Sequence, residues 1–156
     1  MPPHLAPPEA SCTTSAPDRN PLSKRVPPLV QQLLNGVLDT FEKLEVAIVL
    51  ARSPALTSSV TELTTSIGFP RESVERGISA LTALEIVESS GGLVRLVVPP
   101  RDLAVYRTLV ELYDADRVLI AQAVSEIAME KIRGMAARTF AEAFLATRKK
   151  NDSEGK

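Results

Sequence analysis

The chain has 156 residues, 44% of them hydrophobic but only 4% aromatic, with no tryptophan and a formal net charge of −1. These figures allow one small domain with extensions, built on an aliphatic core. A lone cysteine, Cys12, excludes an internal disulfide, no histidine or cysteine cluster offers a zinc site, and no apolar run approaches the ~20 residues that span a bilayer. The reading is therefore a cytoplasmic protein with no metal, no cofactor and no membrane partner.

Residues 1–26 carry prolines at 2, 3, 7, 8, 17 and 21 among serine, threonine and alanine. Such a segment buries little and is expected to be a disordered leader, with Arg19, Lys24 and Arg25 as its basic residues. Pro27-Pro28 then opens an amphipathic run in which Leu29, Val30, Leu33, Leu34, Val37 and Leu38 recur at three- and four-residue spacing. This predicts an accessory helix, fragile at Asn35-Gly36. Asp39-Thr40-Phe41-Glu42 reads as a capping box for a second helix, which Ser53-Pro54 stops.

Ser59-Val60-Thr61-Glu62 is a second capping box, and Val60, Leu63 and Ile67 share one face of the short helix it starts. Gly68-Phe69-Pro70 ends that helix and opens the next, in which Val74, Ile78, Leu81 and Leu84 form the inward stripe. Arg71, Glu72, Glu75, Arg76 and Ser79 then point outward. The runs 86–89 and 93–98 flank Ser90-Gly91-Gly92, the chemistry of a tight hairpin.

After Pro99-Pro100 a helix is expected over residues 102–112. Tyr113-Asp114-Ala115-Asp116 reads as a corner that caps a final helix over 117–148, before a polar tail at 149–156. Ile120, Val124, Ile127, Ala128, Ile132, Met135, Phe140 and Phe144 keep an apolar stripe along its whole length. About 30 residues at ~1.5 Å each make a rod longer than a small domain is wide, so this stripe is a candidate dimer interface.

The stretch 74–87, with its Leu84-Glu85-Ile86-Val87 ending, resembles the recognition helix and the start of the wing in bacterial winged helix-turn-helix transcriptional regulators of the MarR/ArsR-like superfamily. The family places a glycine where Glu85 stands, so the left-handed helix end is here either strained or replaced by another turn. The resemblance implies a mainly α fold with a small β-hairpin: a winged helix-turn-helix domain plus the long C-terminal helix. On that division residues 27–100 hold the accessory helix and the winged domain, and 101–148 a helical dimerisation or interaction region.

Arg71, Glu72, Glu75, Arg76, Ser79 and Arg95 are the candidate DNA-contacting residues. Charge resists that reading, because residues 40–100 hold five basic side chains against seven acidic ones. Residues 101–150 hold nine against seven, with Arg148-Lys149-Lys150 at the helix end. Two functions fit: a homodimeric regulator that lays residues 70–84 in the major groove of double-stranded DNA, or a winged-helix adaptor that docks a protein partner with the same face. No catalytic residues are expected, since residues 27–148 contain neither histidine nor cysteine, and Asp114 and Asp116 lie where capping alone calls for acid.

Overall fold

The computed structural model describes residues 25–153; the expected leader up to Lys24 and the last three residues of the tail lie outside them. The protein is mainly helical, with a small antiparallel sheet of three strands and a long C-terminal helix.

Helix α1 (Pro28–Gly36) starts on Pro27 and turns Val30 and Leu34 inward, while Leu29 stays exposed. Helix α2 (Phe41–Arg52) is capped by Thr40, whose hydroxyl accepts from Lys43 N–H at 3.4 Å. The expected cap, Asp39, sits one residue further out and bonds Lys43 and Lys131 instead. The middle of α2, from Leu44 to Ile48 with Leu50, is buried, because α3, α4 and α5 all pack around it.

Strand β1 (Thr57–Ser59) was not expected from sequence. It leads straight into α3 (Val60–Ile67), whose capping box is complete: Glu62 N–H donates to the Ser59 hydroxyl at 3.1 Å, and Ser59 N–H to the Glu62 carboxylate at 2.9 Å. Gly68, at φ 74°, ends α3 in the left-handed region that glycine enters without a steric penalty. Helix α4 (Arg71–Ala83) follows from Pro70 and buries Val74, Gly77, Ile78 and Leu81. Leu84, placed on that stripe by spacing, lies just past the helix end and is exposed.

Strands β2 (Val87–Ser90) and β3 (Leu93–Leu96) meet through Gly91 and Gly92, both at positive φ as a type I′ hairpin needs. The sheet order is β1-β3-β2, with Arg95 of β3 opposite Thr57 on one side and Glu88 on the other. Val87, Val94 and Leu96 face the core.

Helix α5 (Pro100–Ala115) exceeds the expected 102–112 at both ends and buries Tyr106, Leu109 and Tyr113. Asp116 then breaks the chain direction and caps α6 (Arg117–Ser153), its carboxylate accepting from Leu119 N–H at 3.0 Å. Leu119, Ile120, Ala123 and Val124 join the same core as α1 and α2. The first three turns of α6 therefore belong to the body of the fold, and the rest projects from it.

Candidate functional site

All five outward residues of α4 named from sequence, Arg71, Glu72, Glu75, Arg76 and Ser79, are exposed along one face. Helical geometry places them there once Val74, Ile78 and Leu81 take the inner face. Helix α3 meets α4 through a turn of only three residues, Gly68 to Pro70.

The two arginines are not idle. Arg71 donates from Nε to Glu75 Oε1 at 2.8 Å, an i,i+4 pair, and Arg76 Nη1 lies 3.6 Å from Glu42 of α2. The Arg71–Glu75 pair is solvent-exposed, a setting in which ion pairs contribute about 0–1 kcal/mol, whereas Glu42 is partly buried. Beside the face, a shallow groove between α4 and β2 is lined by Glu75, Ser79, Thr82 and Ser89. Arg95 stands further along the hairpin, exposed and directly across from Glu88. Glu62 at the start of α3 is held below the usual carboxylate range by the Ser59 backbone N–H, with the Ser59 and Ser58 hydroxyls adding to the effect. The surface is thus a mosaic of both signs, with an excess of acid.

The dimer candidates divide into two groups. Ile120 and Val124 are fully buried in the chain's own core, which corrects their assignment to an intermolecular seam. Ile127 and Ala128 are half-buried at the rim of that core, and Ile132, Met135 and Phe140 are exposed on the projecting part. Met129, Phe144 and Leu145 are exposed there as well.

A buried polar cluster escaped sequence reasoning. Glu45, on the face of α2 that meets the α5–α6 junction, is only 8% exposed. Its carboxylate accepts a short hydrogen bond from the Tyr113 hydroxyl and one from Arg117 at 3.2 Å. Arg117 and Arg52 flank the Tyr113 ring at 5.2 and 5.7 Å from its centroid, and Arg52 also bonds Asp114. Burial first, then the bond to Glu45, pushes the Tyr113 hydroxyl up to about 12. At the start of α2, Asp39 lies between Lys43 and Lys131, and burial lowers the Lys43 ammonium from its ordinary value. Both clusters fasten α6 to the body of the fold.

Asp114 and Asp116 are committed to Arg52 and to the α6 cap respectively. Among the described residues, no group of three histidine, cysteine, aspartate or glutamate side chains could hold a metal ion, and no helix is long and apolar enough to cross a membrane. No protein-family model, curated protein or solved structure matches the chain.

Proposed function

We propose that the protein is a homodimeric DNA-binding transcriptional regulator, in which α3 and α4 act as a helix-turn-helix and β2–β3 as a short wing. The observation that carries this reading is the outward face of α4, with Arg71, Arg76 and Ser79 exposed along one side and Arg95 on the adjoining hairpin. Laid in a major groove, that face would present two guanidiniums to base edges. Freeing them costs little: an exposed i,i+4 pair such as Arg71–Glu75 is worth about 0.3–0.5 kcal/mol, against ~1–3 kcal/mol for one good base contact.

A second reading rests on a specific observation. Both arginines are engaged by carboxylates, and residues 40–100 carry seven acidic groups against five basic. Phosphates would be repelled by Glu72 and Glu75, whereas a mixed-charge protein surface would not. On that reading α4 docks a protein partner.

Selection of genomic DNA fragments by the purified protein at near-physiological salt, followed by gel-shift titrations, decides between the two. The regulator enriches a two-fold symmetric sequence; Arg71→Ala with Arg76→Ala abolishes selective binding, and Glu72→Gln with Glu75→Gln strengthens binding to any DNA. Absence of selective binding by the wild type, together with loss of a protein partner in the glutamine variant, establishes the adaptor instead.

A further inference from the structure

The start of α2 holds a row of charges of alternating sign that runs from α6 to α4. Lys131 of α6 bonds Asp39 through Oδ2, and Lys43 contacts the other oxygen, Oδ1. Burial disfavours the Lys43 ammonium, and Glu42, beside it in sequence, favours it. Glu42 Oε1 also lies 3.6 Å from Nη1 of Arg76, on the outward face of α4. The order is therefore Lys131, Asp39, Lys43, Glu42, Arg76, and each inner member is shared between two neighbours of opposite sign.

The middle of this row is its best-insulated part. The Asp39 and Lys43 side chains are 13% and 14% exposed, and charges so placed are screened by water far less than surface charges. Both ends are open, since the Lys131 and Arg76 side chains are each more than half exposed. Lys131 is also the member that the fold can lose most easily: Asp39 keeps Lys43 when Lys131 is gone, so no buried carboxylate is left alone.

The sign of the effect on Arg76 follows from the order. Without Lys131 the Asp39 charge falls on Lys43 alone, Lys43 offsets less of Glu42, and Glu42 draws the Arg76 guanidinium harder. Even with every atom fixed, the surroundings of Arg76 become one charge more negative, which acts in the same direction.

We infer that Lys131 is a positioning residue for Arg76, acting through Asp39, Lys43 and Glu42: its charge sets how firmly Glu42 holds the guanidinium. The inference deepens the proposed function and rests on it in one respect, that Arg76 meets DNA; the row itself is tested in the free protein.

Nuclear magnetic resonance of the full chain without DNA, in the cold, follows the exchange of the Arg76 guanidinium protons with water, assigned with Arg76→Lys. Lys131→Gln should slow that exchange by about two- to fivefold, the factor that a weak ion pair supplies, and Lys131→Arg should restore the wild-type rate. Arg138→Gln removes the same charge from the exposed part of α6 and should leave Arg76 unchanged, as should Lys131→Gln made in a Glu42→Gln background. Arg71, paired with Glu75 inside α4, is the internal reference. An unchanged Arg76 in Lys131→Gln, an equal response to Arg138→Gln, or a response that survives Glu42→Gln overturns the inference. On DNA fragments that the wild type selects, Lys131→Gln should weaken binding about two- to fivefold beyond Arg138→Gln, and the excess should vanish in Arg76→Ala. An Arg76 response with no excess loss on selected DNA upholds the row and removes Arg76 from the DNA contact. The same response in a protein that selects no DNA upholds the row and overturns the regulator.

Discussion

Arg117, the first residue of α6, donates to Glu45 of α2 at 3.2 Å across 72 positions of sequence. The Glu45 carboxylate is nearly out of water, so its stability rests on keeping its donors, of which Tyr113 is the other. Tyr113→Phe removes a buried bond to a charged acceptor and should cost about 1.5–3 kcal/mol in urea unfolding. Tyr106 provides the contrast: it is equally buried, yet its hydroxyl has no partner among the described residues. Tyr106→Phe should leave stability unchanged or raise it by up to ~1 kcal/mol, since it removes a polar group that folding desolvates without compensation.

Both tyrosines are pushed up to about 12 when folded, chiefly by burial, with Asp102 adding to the effect at Tyr106 and Glu45 at Tyr113. The folded state then holds protons that the unfolded chain releases near pH 10, so stability falls as pH rises from about 10 to 12. Below pH 10 these groups add no slope. With two tyrosines and no tryptophan, ultraviolet absorbance of tyrosinate reports the transition cleanly. Native titration near pH 10 at either tyrosine would contradict the burial described.

Glu85 occupies the left-handed position that ends α4, at φ 58°. Its N–H donates to Thr82 O at 3.0 Å and the Ile86 N–H to Leu81 O at 3.1 Å, the double bond pattern of a Schellman cap. A residue with a Cβ costs roughly 1–2 kcal/mol there, and glycine gives back about 0.5–1 in chain entropy. Glu85→Gly should therefore stabilise the protein by about 0.5–1 kcal/mol, read as a Tm rise of roughly 2–4 °C.

Gly77 lies in the middle of α4, where alanine ordinarily gains about 1 kcal/mol in helix propensity. Here a Cβ would meet the Glu42 backbone carbon and oxygen at 2.9 Å. Gly77→Ala should cost ~1–3 kcal/mol net by forcing α4 away from α2. Gly134→Ala, where nothing lies within 4 Å, is the matched control and should gain up to ~1 kcal/mol.

What was legible in the sequence was written within a few residues. The Ser59–Glu62 capping box, the Gly91-Gly92 hairpin and the Asp116 cap each state their chemistry locally, and each is present. The outward face of α4 followed from periodicity alone. Strand β1 was not legible, because three residues carry no alternation and Thr57–Ser59 becomes a strand only through its pairing with β3. Glu45, Tyr113 and Arg117 are anonymous in sequence, since partners 68 and 72 positions apart are matched by packing rather than by spacing. The α6 stripe misled for a related reason: one continuous periodicity serves the chain's own core up to Val124 and open solvent after Lys131.

Helix α2 touches both ends of the functional proposal. On one side its Glu42 backbone sits against Gly77 of α4, too close for any side chain between them. On the other, Glu45 and Asp39 hold α6 at residues 117 and 131, which lie roughly 21 Å apart along that helix. Two points of attachment fix a direction as well as a position, so α2 sets how the base of the projecting arm is aimed relative to α4. In the homodimer proposed above, that aim would set the spacing of the two α4 faces. A change in how α2 seats against its neighbours would then retune it.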